Sequence, residues 1–181
     1  RKYEAEEEDK PLSYLDVYDK YIVYNKDRNG KIKTIVEGII EKNEKPRILI
    51  LTKSLDHGRI LGDYFKEMQC EFLEGANSVG ERYESISRFR GHVKGSILIG
   101  TRILQTGINI EEITHFINAR GMKSEIATIQ ALGRALRVSD NKDKVYVYDF
   151  MDKEKYLDAH SRERIKHYKK EGHEVTKYEQ N

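Results

Sequence analysis

A chain of 181 residues is long enough for one domain with a real core and an appendage, and the 35% of charged residues marks a protein that faces water. With 33 Lys and Arg against 31 Asp and Glu the net charge is +2, so net charge alone does not argue for nucleic acid and any basic surface must be local. The single Cys70 excludes a disulfide framework or a cysteine metal cluster and points to a reducing cytoplasm, and no apolar run approaches the roughly 20 residues that span a bilayer.

The chain starts at Arg1 rather than Met, which is expected of a fragment. Residues 1–10 carry an acidic run before Pro11 and read as a linker end or frayed terminus. Residues 12–24 are dense in apolar and aromatic side chains that fit neither a helical nor a strand period, and 25–30 carry turn chemistry. Beyond them Ile32, Ile35, Val36, Ile39 and Ile40 follow helical spacing up to a stop at 43–46. A buried strand is expected at 47–51, with Ile60, Leu61, Tyr64, Phe65 and Met68 marking the helix behind it, and a short second strand at 70–73. A helix follows over 78–90, opened by a Ser78–Glu81 capping box, then strands at 97–100 and 114–118. A helix over about 124–138 precedes a fifth strand at 145–150, and the charged stretch 152–170 reads as a solvated terminal helix.

Strand and helix alternate with no tight hairpin signal, which predicts an α/β fold with a mostly parallel central sheet and helices on both faces. The chain divides into 1–10, a linker or frayed terminus; 11–45, a connecting segment with the first helix; 46–150, the main α/β domain; and 151–181, a charged helix and tail. Ligands of such sheets gather at the carboxyl ends of the strands, which places Thr52, Lys53, Gly75, Thr101, Gly107 and Gly121 along one rim.

One octet stands out, Gln130-Ala131-Leu132-Gly133-Arg134-Ala135-Leu136-Arg137. On a helix, positions 130, 134 and 137 share a face, while Leu132 and Leu136 can seat the helix on a core. Glycine costs about 1 kcal/mol against alanine inside a helix, so Gly133 beside two arginines suggests a bulky group approaching the backbone. A phosphate chain would fit, because arginine presents a planar fork of donors suited to the spread charge of a transferring phosphoryl group. A basic surface helix is the plainer alternative. In the loop from Gly100 to Asn109, Thr101 and free backbone N–H groups can hold a phosphate without reading a base, and Gly107 allows a close turn; a plain structural loop is equally open. After the first strand, Ser54 can simply cap the next helix, with Thr52, Lys53 and His57 in reach of a backbone phosphate, and Gly75 lies in a similar small-residue loop.

Other features carry no chemistry in this reading. The six histidines lack metal-ligand spacing, and His160 with His167 reads as a solvated helix face. Glu111 with Glu112, and Asp149 with Asp152, do not converge as a general acid and base need to. The 12 tyrosines are not taken as a base-stacking signal, since many are assigned to packing in strands.

These residues together resemble the carboxyl-terminal motor domain of superfamily 2 helicases, nearest to the phage UvsW-type and XPB-like DNA helicases. Gln130-x-x-Gly133-Arg134-x-x-Arg137 matches that family's sixth motif, 101–109 resembles its fifth and 48–58 its fourth, in the same order and spacing. The resemblance covers 21–152 and implies a RecA-like three-layer sandwich over 46–150. It further implies that Arg134 and Arg137 reach ATP held by a partner domain, that Gln130 contacts the γ-phosphate or its water, and that Gly107, Asn109 and Gly133 lie by the nucleotide. Thr52, Lys53, His57, Gly75 and Thr101 would then face the nucleic-acid backbone. Asn109 stands where many members have aspartate, so a hydrogen bond replaces a charged contact. The phosphate loop Gly-x-x-x-x-Gly-Lys-Ser/Thr and the magnesium-binding Asp-Glu pair are absent from the sequence. The expectation is therefore half of an ATP-dependent DNA helicase or translocase of repair or recombination in a bacterial or phage-infected cytoplasm. ATP with Mg would be held mainly by an amino-terminal RecA-like domain, DNA would be single-stranded or branched, RNA is the lesser choice, and the isolated chain would be inactive. A stand-alone nucleic-acid or protein binding module, or the motor subunit of a nuclease or restriction system, are the alternatives.

Overall fold

The strand RILIL at 47–51 has no polar alternation because both of its faces are covered, and it forms the middle of a parallel sheet. The computed structural model describes residues 11–101, 111–123 and 144–178, and the sheet is counted among these. Its strands are β1 (Arg47–Leu51), β2 (Cys70–Leu73), β3 (Ser96–Gly100), β4 (His115–Asn118) and β5 (Tyr146–Tyr148), in the spatial order β2-β3-β1-β4-β5 and parallel at every pairing.

Side chains alternate between the two faces with the period of two that a strand imposes. Ile48, Ile50, Ile97, Ile99 and Ile117 meet Ile32, Val36 and Ile39 of α2 (Lys26–Lys42), with Leu61 of α3 (Leu55–Tyr64) and Phe65 beyond it. Leu49, Leu51, Leu98 and Phe116 meet Ile86 and Phe89 of α4 (Val79–Gly91) and Tyr168 of α5 (Leu157–Lys170). Two apolar layers and a parallel sheet between them are the three-layer α/β architecture expected from the sequence.

Three sequence expectations need adjustment. Residues 12–24 form α1 (Tyr14–Tyr18), opened by a Ser13–Asp16 capping box, which runs into a π-helical turn (Asp19–Val23). The wider turn breaks the 3.6-residue spacing, which is why neither period fits there. The turn chemistry at 25–30 is a helix start: the Asn25 side chain accepts from the Arg28 N–H at 3.0 Å and α2 begins at Lys26.

The terminal helix is not solvated all round. Leu157, Ser161, Arg164 and Tyr168 recur on one face and are buried. Arg164, 1% exposed, donates from Nε to Asp149 Oδ2 at 2.8 Å and from Nη2 to Asp149 Oδ1 at 3.0 Å, while the Tyr168 hydroxyl donates to Asp149 Oδ2 at 2.6 Å. Leaving either member of such a buried pair alone costs about 3–5 kcal/mol, so α5 is fastened to the end of β5 rather than appended to it.

Candidate nucleotide and nucleic-acid rim

The chain leaves β1 for β2 and β3 on one side and later places β4 and β5 on the other, so the strand order reverses at β1. In open parallel sheets the carboxyl edge at such a reversal is where phosphates bind. Here that edge carries Thr52 and Lys53 after β1, Gly75 beyond β2, Thr101 after β3, and Ala119, Arg120 and Gly121 after β4.

Arg120 fastens this edge together. Its Nε donates to the Thr52 carbonyl at 3.1 Å, its Nη2 donates to the Thr101 carbonyl, and its own carbonyl accepts from the Tyr18 hydroxyl at 2.7 Å. The guanidinium thus joins the ends of β1 and β3 to the end of β4, and the main-chain carbonyl of the same residue takes in helix α1. Arg28, in the first turn of α2, does the same one step along: Nη1 donates to the Ala119 carbonyl at 2.9 Å and Nε to Asp152 Oδ1 at 2.8 Å, with Phe150 packed against the guanidinium. Gly121 sits between them at φ +67, a left-handed conformation that favours glycine. A Cβ there would also lie 3.0 Å from Ile22 Cδ1 and 3.2 Å from Asp152 Oδ2.

Sequence reasoning passed over Arg28, Arg120 and Asp152 as site-forming residues. A cation directly after an apolar strand is the only local signal for Arg120, because its partners lie 68 and 19 residues away. Asp149 and Asp152 each end on an arginine, which agrees with reading them as structural rather than as an acid and base.

Two residues expected to touch a nucleic-acid backbone are interior instead. Thr52 is fully buried, and its Oγ1 donates to the Ser54 carbonyl at 3.2 Å. His57 is also fully buried, with Nε2 3.0 Å from Asn29 Oδ1, and the Asn29 amide in turn donates to the Val23 carbonyl. The amide oxygen can only accept, so Nε2 carries a proton. Burial, reinforced by the Arg28 charge, pushes the His57 pKa down to about 3. The physical reason for the correction is helix phase: Ser54 caps α3 by accepting from the His57 N–H, which turns His57 inward toward α2.

The other described candidates stay near the edge. Lys53 is exposed, with Nζ over the Tyr18 ring at 4.6 Å and the Tyr14 ring at 5.5 Å. Gly75 is exposed and its carbonyl accepts from Arg82. Thr101 is 7% exposed and tied through its carbonyl to Arg120. Gly107, Asn109, Gln130, Gly133, Arg134 and Arg137, with the helix expected over 124–138, lie outside the described residues. Cations and main-chain groups at this edge suit an anion. Among the described residues no group of three or more His, Cys, Asp and Glu is placed to hold a metal ion. No helix among the described residues is long and apolar enough to cross a membrane.

The helicase conserved C-terminal domain model matches residues 30–139, a span that contains the rim and the octet. The chain is 32% identical over 127 residues to MJ1505 of Methanocaldococcus jannaschii, named as an ATP-dependent RNA helicase, covering 65% of this chain and 16% of that protein. It is 26% identical over 127 residues to the ATP-dependent DNA helicase uvsW of phage T4, covering 69% of this chain and 25% of that protein. A Clostridium botulinum UvrABC system protein B is 32% identical over 152 residues, covering 78% and 22%. This chain therefore spans a quarter or less of the length of these relatives. Among solved structures, T4 UvsW aligns with a TM-score of 0.72 at 24% identity over 90% of this chain and 36% of that one, which shows the same fold. The chain belongs to the helicase conserved C-terminal domain family, within superfamily 2 and with the RecA-like fold of that domain.

Proposed function

We propose that this chain is the second motor domain of an ATP-dependent DNA helicase or translocase, working against an amino-terminal RecA-like domain that holds ATP and Mg. The observation that carries the reading is the match over 30–139, which places Gln130-x-x-Gly133-Arg134-x-x-Arg137 inside the shared domain. Arg134 and Arg137 act as arginine fingers on the transferring phosphoryl group, Gln130 orients the γ-phosphate or its water, and Gly107, Asn109 and Gly133 border the nucleotide. An arginine supplied across a cleft is worth roughly 10³ to 10⁵ in rate, so two arginines at this spacing have a use once a triphosphate is presented to them.

Lys53, Gly75 and Thr101 contact the nucleic-acid backbone along the rim, and Arg120 keeps the strand ends in register beneath them. Closing of the two motor domains around ATP moves this rim relative to the partner's grip, and hydrolysis releases it. The output is a cycle of conformations rather than bond chemistry on DNA.

Comparing ATP turnover and duplex unwinding by this chain with those of the full-length protein tests the division of labour. The full-length protein is expected to show both, and the chain alone neither. Robust turnover by the purified chain alone would contradict the reading.

A further inference from the structure

We propose that an aromatic row beside the rim is a stacking platform for unpaired bases, flanked by two lysines that take the adjoining phosphates. The row rests on the nucleic-acid reading of the rim and lies largely outside the matched span, in α1 and at the start of α5. Tyr14 stands at its centre. Its ring lies 6.0 Å from Tyr18, 6.0 Å from Tyr156 in an edge-on contact and 5.7 Å from His160. Lys53 Nζ covers the Tyr14 and Tyr18 rings at one end, and Lys155 Nζ covers the Tyr156 ring at 4.9 Å at the other.

The row is continuous with the rim. Lys53 directly precedes the Ser54 cap of α3, and the Tyr18 hydroxyl donates to the carbonyl of Arg120, the residue that fastens β1, β3 and β4. A strand whose phosphates follow the rim past Lys53 therefore brings its next bases over Tyr14 and Tyr156.

Packing alone does not account for Tyr156. It is 40% exposed, and it holds φ +68, a left-handed conformation that a tyrosine rarely adopts, at the entry to α5. A residue needed only as filler would lie inside the cluster of Val17, Tyr18, Ile22, Val23 and Leu157 beneath it. Instead the backbone is held in an unfavourable well while the side chain stays partly open to solvent beside Tyr14. In the free protein each lysine rests on a ring as a cation–π contact; a strand offers the lysines phosphates and offers the rings bases, and both exchanges favour binding. Base–aromatic stacking needs no particular base, as suits a protein that travels along its substrate.

The test uses the full-length protein with Tyr156→Gly, which removes the ring at a position where glycine relieves the left-handed strain, and with Tyr156→Phe, which keeps the ring. Binding of fluorescent oligo-dT and oligo-U is compared with binding of an oligo-dT whose bases are replaced by abasic sites. Tyr156→Gly is expected to weaken binding of the base-bearing strands by about tenfold, to leave abasic binding unchanged, and to be matched to wild type by Tyr156→Phe. An equal loss on abasic and base-bearing strands would overturn the platform, since it would mark a backbone or packing effect. Unchanged binding with impaired coupling of ATP turnover to DNA would also overturn it, in favour of a surface for the partner motor domain. Neither result would touch the motor reading, which stands or falls on nucleic-acid-stimulated ATP turnover of the unaltered protein.

Discussion

At the scale of single residues, burial sets the chemistry of this domain more than sequence neighbourhood does. His57 is neutral because charging it would place a cation in the interior beside Arg28, and His115, on β4 under Tyr146 and Tyr148, has its pKa lowered to about 4 by burial alone. An unfolded histidine binds a proton near pH 6.5, whereas the folded His57 does so near 3. Between those values the unfolded chain holds more protons, so stability is complete above pH 6.5 and is lost as pH falls. Urea denaturation between pH 6.5 and 4.5 is expected to show stability falling as the pH is lowered, by at most about 1.4 kcal/mol per pH unit for each of the two histidines. His57→Gln should remove one such increment from the slope, and an unaltered slope would show that His57 titrates normally. The sequence places His57 one turn from Lys53 and so makes it a surface candidate; only the inward phase set by the Ser54 cap, and the arrival of Asn29 from α2, make it interior. Arg28, Arg120 and Arg164 are the mirror case. Each reads as a solvated cation in the chain and each has partners far away in sequence, which no local pattern encodes.

At the scale of elements, glycine positions separate backbone needs from packing needs. Gly58 and Gly62 both lie in α3, four residues apart. A Cβ at Gly58 would lie 2.5 Å from the Phe72 ring of β2, whereas Gly62 has nothing within 4 Å. Gly62→Ala is expected to stabilise the domain by up to about 1 kcal/mol through helix propensity. Gly58→Ala gains the same propensity but forces Phe72 aside, an overpacking cost of about 1–3 kcal/mol, so it should lower the thermal midpoint while Gly62→Ala raises it. Equal shifts for the two would show that α3 does not press on β2. The elements themselves were largely legible in the chain. β1 and β2 coincide with their expected bounds, and the Ser78–Glu81 box opens α4 as its spacing indicates. Legibility fails where one principle hides another: the π-helical turn at 19–23 removes the period, the poor helix formers Asp27, Asn29 and Gly30 lie at the start of α2, and the buried stripe of α5 contains an arginine and a serine that read as polar.

At the scale of the whole molecule, two apolar layers enclose the parallel sheet, and its carboxyl edge carries the candidate contacts among the described residues, Lys53, Gly75 and Thr101. α1 and α5, at opposite ends of the described chain, meet beside that edge through Tyr14, Tyr156 and His160. The segments before and after the matched span therefore shape the rim along with the shared domain. The fold class was readable because alternation of strand and helix without hairpins admits few architectures. The candidate nucleotide residues from Gln130 to Arg137 are residue types at a spacing in the sequence, and they lie outside the described residues.

The most direct measurement is DNA-stimulated ATP turnover of the full-length protein, wild type against Arg137→Ala, with folding and ATP binding verified for both. A transition-state arginine predicts a rate loss of about 10³ or more with binding intact. An unchanged rate would contradict the motor assignment and favour a domain that binds without catalysing.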